Sequence, residues 1–185
     1  MSTFDEFAED LMEDAKRFYE LGRDESNDTA KQAYLRASLL VSVSSLEAFT
    51  NGIVDDFIDR RQFFDINEIA FLTERNIELI NGKFEIRDGL NMKRLTQRIE
   101  IIFSKFDSSK LDKTDIWWSD LMLGIKLRNK LVHPKEKTHL NDTQILNLIN
   151  AALECVNNMF LAVYKRKYPA ITRGANSKHD FGSAT

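Results

Sequence analysis

From Thr29 to Arg60 the chain runs without a proline for roughly nine turns of helix at 3.6 residues per turn. Leu35, Leu39, Val43, Leu46, Ile53 and Phe57 recur on one side of it. Ala33, Ala37, Leu40, Val41, Ser44 and Ala48 make a second face of small residues. A helix that is apolar on two sides has to be central, and small residues let a neighbouring helix approach closely. The rest of the chain must therefore pack around this element. Gly52 is the one position expected to loosen it.

The other segments supply the neighbours. Phe4, Phe7, Ala8, Leu11, Ala15 and Phe18 predict an amphipathic helix from about Thr3 to Arg23, capped by Ser2 or Thr3, with acidic residues on its opposite face. The loop Asp24–Asp28 supplies the cap of the central helix. Asp65 is placed to cap a short helix over Ile66 to Arg75. Between Ile77 and Ile86, the pair Asn81-Gly82 separates two partly alternating segments, which predicts a β-hairpin decorating the bundle. Leu95, Ile99, Ile102, Phe103 and Phe106 mark a helix from about Asn91 to Phe106, ended by Asp107-Ser108-Ser109. Asp112 or Thr114 is expected to cap the next helix, with Trp117, Leu121, Gly124 and Ile125 on its core face. After a polar loop over Lys135 to Leu140, Asn141-Asp142-Thr143 opens a last long helix reaching about Tyr168, before Pro169. With 185 residues, only 7 Gly and 2 Pro, and no repeat or linker, the chain reads as one all-α domain. That domain spans residues 1–168, an up-and-down bundle, followed by a small, polar tail over 169–185 expected to lack structure.

A net charge of −3 argues against general nucleic-acid binding, but the charge is unevenly placed. The N-terminal segment is acidic, whereas Lys126, Arg128, Lys130, Lys135 and Lys137 crowd one short stretch. Arg166 and its neighbours make the C-terminal region basic as well. A basic patch on an acidic chain suits one polyanion site, and a solvated helix end carrying dipole-compatible cations would look the same. The single cysteine, Cys155, lies in a helical pattern and cannot form an internal disulfide, which favours a cytoplasmic location. No signal peptide or membrane segment is expected, and neither is a cofactor.

The chemistry-bearing stretch is Leu127-Arg128-Asn129-Lys130-Leu131-Val132-His133-Pro134. Pro134 disfavours helical geometry for the residue before it, so His133 is expected at a helix end while Arg128 still lies in the last turns. The macrodipole there favours a protonated imidazole. Arginine followed by histidine is a loose pattern: Arg173 and His179 satisfy it too. What distinguishes the first match is the amphipathic helix it closes, the polar Asn129 and the stop at Pro134.

Those residues, together with the long helix reading Ser38-Leu39-Leu40-Val41-Ser42-Val43-Ser44-Ser45-Leu46-Glu47-Ala48-Phe49, resemble the HEPN superfamily (higher eukaryotes and prokaryotes nucleotide-binding domain). The similarity covers about Asp28 to Tyr168. It implies a helical bundle that dimerises so that two motifs face each other. It also implies metal-independent RNA cleavage, often in toxin–antitoxin or antiviral defence systems, where an antitoxin or other partner protein is present. Some toxins of the superfamily carry a tyrosine two residues after the histidine as a target for inactivating nucleotidylation; here that position is Lys135. Other members have lost nuclease activity.

The residues support the same chemistry on their own terms. RNA carries its nucleophile, the 2′-hydroxyl, beside the scissile phosphate. Cleavage needs a base, an acid and positive charge. His133 is the expected general acid/base and Arg128 the phosphate clamp, since arginine contacts phosphate oxygens bidentately. Asn129 would orient substrate or imidazole. Lys126, Lys130 and Lys135 would attract the RNA backbone, and Glu47 could pair with Arg128. One histidine cannot readily be base and acid, and a homodimer supplies two. His139 lies near His133 without a ligand cluster around it, so no metal site is expected. Trp117 and Trp118 read as core or interface packing rather than a stacking platform. The alternative functions are a non-catalytic bundle that binds a protein partner or serves as a regulatory subunit, and a nucleotide-sensing module that binds phosphate without cleaving.

Overall fold

The structure is a computed structural model describing residues 3–59 and 63–179, with side chains from residue 6 onward. Six α-helices are present among the described residues: α1 (Thr3–Asp24), α2 (Asp28–Phe57), α3 (Ile66–Leu72), α4 (Leu95–Phe106), α5 (Ile116–Val132) and α6 (Asp142–Tyr164). Strands β1 (Arg75–Ile80) and β2 (Lys83–Leu90) form an antiparallel hairpin between α3 and α4. The fold class expected from periodicity is the one observed, a mostly helical bundle with a small hairpin. The side chains of Phe4, Ser2 and Thr3 and the proposed helix end at Arg60 lie outside what is described.

Helix α2 is central, as its two apolar sides require. Leu35, Leu39, Val43, Leu46 and Ile53 are buried, and the helix runs through Gly52 unbroken. Its small face is not where the alanines suggested. Ala33, Leu40 and Ser44 are exposed, and the close approach to α1 is made by serines. Ser38 Oγ donates to the Ala15 carbonyl and Ser45 Oγ to the Ala8 carbonyl, each at 2.7 Å. A hydroxyl can use a carbonyl of the facing helix as acceptor, which an alanine cannot, so these buried donors are satisfied and the two backbones lie close.

Helix α6 is the second central element, touching α1, α2, α4 and α5. Both α2 and α6 are long and apolar enough to cross a bilayer, but 67% of the most apolar stretch of each is buried in the bundle. Packing against protein accounts for that apolarity. Cys155 sits fully buried on α6, where burial pushes its thiol well above the ordinary value.

Local chemistry sets the helix ends. Asn27 accepts from Ala30 N–H at the start of α2. Asp65 with Glu68, and Asn141 with Gln144, form capping boxes at α3 and α6. The expected cap of α5 is different: Asp112 accepts from Thr114 instead, and Asp115 is the N-cap residue without a side-chain hydrogen bond. Helix α6 stops at Tyr164, short of the expected Tyr168, because Lys165 turns left-handed with φ 57°. In the hairpin, Asn81 and Gly82 both have positive φ (51° and 79°), the primed turn that an Asn-Gly pair encodes.

Two expectations about the first helix and the tail fail together. The buried line of α1 is Ala8, Met12, Ala15 and Tyr19, while Phe7 is exposed and Glu13, expected on the acidic opposite face, is fully buried, as is Lys16. What covers Glu13 is the segment after Pro169. Rather than being disordered, it is ordered through residue 179 and folds back onto α1: Arg173 reaches Glu9 and Glu13, Ser177 Oγ donates to the Glu13 carbonyl, and Lys178 N–H donates to the Glu13 carboxylate. Residues 180–185 of that tail lie outside the described residues. The segment is polar because its partners are charged.

The close contact of α5 with α6 depends on Gly124. A Cβ there would overlap the Leu148 side chain, whose Cγ and Cβ would stand 2.9 and 3.1 Å away. Leu148 is itself buried and cannot swing aside. Gly124→Val is therefore expected to destabilise the protein by about 1–3 kcal/mol, the usual effect of overpacking. Urea unfolding with an unchanged m-value checks it.

Candidate functional site

Arg128 and His133 lie in the last two turns and at the end of α5. His133 is the C-cap residue, with φ −123° and ψ 67°, outside helical geometry as the following proline requires. Its N–H still donates to the Asn129 carbonyl at 3.0 Å, while its side chain is exposed. The loop that follows is pinned at its far end. Gln32 Nε2 donates to the Leu140 carbonyl at 2.7 Å, and Leu140 N–H donates back to Gln32 Oε1 at 2.9 Å. This buried two-way clamp ties residues 134–140 to α2 and limits where the end of α5 can go.

Arg128 is half-buried and held on two sides. Its Nη2 donates to Glu47 Oε1 at 2.8 Å and its Nη1 to Asn129 Oδ1 at 3.1 Å. A guanidinium carries five N–H groups, so three remain for another acceptor. Glu47 comes from the middle of α2, so one ion pair ties the central helix to the motif helix. The pairing read as one option for Glu47 is the arrangement observed. The Asn129 side chain engages Arg128, and Asn129 meets His133 only through its backbone carbonyl.

Two adjoining cavities meet at this helix end. The larger, of about 820 Å³, lies between α2, α4, α5 and the foot of the hairpin, and Glu47, Lys126, Arg128 and Asn129 line it. The smaller, of about 360 Å³, is lined by His133, Lys126, Asn129, Lys130 and Lys135. Arg128 and His133 thus open on neighbouring spaces joined through Lys126 and Asn129. Every candidate RNA-binding lysine stands on one or both. Lys130 lies 3.8 Å from Glu136, an exposed pair that leaves it accessible.

The structure adds residues that sequence spacing could not single out. Arg98 of α4, only 4% exposed, lines the larger cavity with Asn51, Glu74 and Lys93. Its Nη2 donates to Asn51 Oδ1 and its Nη1 lies 3.5 Å from Glu74 Oε2. Burial lowers its pKa, and Glu74, Glu47 and Asp55 act against that. The one signal for it was an arginine beside the apolar stripe of α4.

Other candidates resolve as structure. Trp118 is buried and meets the half-buried Trp117 edge to face. His139 is exposed, 3.5 Å from Asp28. Arg173 binds Glu9 and Glu13, and His179 lies near Asp14. No group of three or more His, Cys, Asp or Glu with metal-binding geometry occurs among the described residues.

A helical bundle whose long second helix braces an Arg-Asn-x-x-x-His helix end defines a HEPN-type domain. The chain belongs to the RiboL-PSP-HEPN family, whose model matches residues 6–165. Neither the curated proteins nor the solved structures contain a match to the chain.

Proposed function

We propose that this chain is an endoribonuclease that works as a homodimer without a metal ion, cutting RNA through its own 2′-hydroxyl. The observation that carries the reading is Arg128, held by Glu47 and Asn129 with three N–H groups to spare, one turn before an exposed His133. Apolar residues stand open on the two helices that carry the site: Leu40 on α2 and Met122 and Val132 on α5 are each between 37% and 48% exposed. Exposed apolar surface rimmed by charge suits a protein interface, and a twofold axis there would bring two motifs together.

In the composite site, His133 of one subunit takes the proton from the 2′-hydroxyl as the 2′-oxygen bonds to phosphorus. The P–O5′ bond breaks, and the second imidazole, protonated, gives its proton to the departing 5′-oxygen. Arg128 neutralises the charge gathering on the non-bridging oxygens. Lys126, Lys130 and Lys135 draw in the RNA backbone, and their contribution weakens with salt. The products are a 2′,3′-cyclic phosphate and a 5′-hydroxyl. On this reading the chain is a cytoplasmic toxin or antiviral effector, restrained by an antitoxin or other partner protein.

One observation favours the alternative, a non-catalytic bundle that binds a protein partner: Glu47 already neutralises Arg128. RNA incubation in EDTA decides between them. Cleavage that persists and leaves cyclic phosphate and 5′-hydroxyl ends is expected. A dimer inert toward both structured and unstructured RNA would favour the alternative.

A further inference from the structure

The larger cavity has more built into it than the motif requires. On a chain of net charge −3, five cations line it, Lys93, Arg94, Arg98, Lys126 and Arg128, against the carboxylates Glu47 and Glu74. The first turn of α4 opens into the same space through Leu95 and Thr96. Its N-cap residue, Arg94, makes no side-chain hydrogen bond to it. The leading N–H groups of a helix have no acceptor within the helix, and its dipole favours an anion there. Arg98 is buried in the wall with its Nε unpartnered. Its Nη1 and Nη2 face Glu74 and Asn51, which fix the guanidinium in that wall.

The backbone around the cavity is also held in an unfavourable shape. Glu74 has φ 54°, a left-handed conformation that is unfavourable for a non-glycine residue. It is fixed by its contacts. The Glu74 carbonyl accepts from Asn91 N–H at 2.7 Å and its carboxylate from Lys93 N–H at 2.8 Å, so the entry and exit of the hairpin are tied together beside Arg98. Apolar side chains complete the lining, Val43, Leu95, Leu123 and Met92. The cavity's volume of about 820 Å³ falls within the usual range of small-ligand sites.

We propose that this cavity is the subsite for the nucleotide adjoining the scissile bond. The base lies on Met92 and Leu123, and the outer phosphate sits at the α4 N-terminus with Lys93 and Arg98. The inner phosphate is the one that Arg128 holds, where the two cavities join. The position relative to the cut rests on the ribonuclease reading; the binding of a nucleotide with two phosphates does not.

The test uses the full chain carrying His133→Ala, which keeps the cavity, and titrates it with adenosine 3′,5′-bisphosphate, adenosine and inorganic phosphate by calorimetry. The bisphosphate is expected to bind at least about tenfold more tightly than either part, since it makes the charged hydrogen bonds of both. Adding Thr96→Glu places a carboxylate in the cavity while favouring the first turn of α4, so the fold is kept. That change, and separately Lys93→Ala, should each weaken binding at least about tenfold. Lys83→Ala, on the exposed hairpin turn, should leave it unchanged. No binding at millimolar bisphosphate, or binding indifferent to Thr96→Glu and Lys93→Ala, overturns the subsite. If these variants behave as expected and the wild-type chain cuts no RNA, the pocket stands and the ribonuclease reading falls. If RNA is cut and the bisphosphate ignores both changes, the reverse holds.

Discussion

His133→Ala is expected to lower the rate of RNA cleavage by roughly 100- to 10,000-fold, the range for losing a positioned general acid or base. The variant should unfold at the same temperature as wild type. The imidazole is exposed, its side chain makes no hydrogen bond among the described residues, and the backbone bond to Asn129 survives the change. A surface substitution of that kind alters stability by about 0.5 kcal/mol or less. Activity and stability therefore separate cleanly at this position. Arg128 is a sharper probe of geometry. Arg128→Ala removes the phosphate clamp and leaves Glu47 unpaired. Arg128→Lys keeps the charge but loses the planar fork that can serve Glu47, Asn129 and a phosphate at once. A lysine variant nearly as slow as the alanine variant would identify the fork, and not the charge alone, as the working feature. Single-turnover rates for both, beside thermal melts, make the measurement. Equal cleavage by wild type and His133→Ala would end the proposed mechanism.

What could be read in advance from the chain was whatever depends on neighbours in sequence. Pro134 dictates the backbone of His133, an Asn-Gly pair dictates its turn, and capping boxes mark α3 and α6; each acts within a few residues. The central place of α2 was legible because a helix apolar on two sides has few other options. The site residues from beyond the motif were not, because their role is made by contact across the fold. Arg98 and Glu74 are 24 residues apart, and Asn51 is 47 from Arg98. Glu47 stood out only as a carboxylate in an apolar helix. The errors have the same origin. Nothing within a few residues of Ser38 and Ser45 foretells that the carbonyls of Ala15 and Ala8 face them. Glu13 looked solvated until residues beyond Pro169 came back to cover it. Composition read that segment as unstructured because its ordering comes from a few charged contacts and little apolar burial.

That cover makes Glu13 the position where one side chain should cost the most stability. Its carboxylate accepts from Lys16 Nζ at 2.9 Å, Arg173 Nη2 at 3.0 Å and Lys178 N–H at 2.6 Å, and both Glu13 and Lys16 are fully buried. Burial by itself raises the Glu13 pKa; the hydrogen bonds from Lys178, Lys16 and Arg173, with the Lys16 charge, outweigh it and hold the carboxyl below its ordinary value. Glu13→Gln keeps the volume but leaves Lys16 buried without a counter-charge. Breaking a buried pair from one side costs about 3–5 kcal/mol. The loss should also release residues 170–179, seen as faster amide exchange there and as proteolysis after Arg173 or Lys178 under conditions where the wild type resists. The pH dependence has a fixed sign. A carboxyl whose folded pKa is depressed contributes fully above its unfolded value, near 4.5, and loses that contribution as the pH falls through the lower folded value. The wild-type melting temperature should therefore drop more steeply below pH 4.5 than that of Glu13→Gln, so that the two curves converge in acid. Parallel curves would mean that the carboxylate charge contributes nothing, and that the tail is held by packing alone.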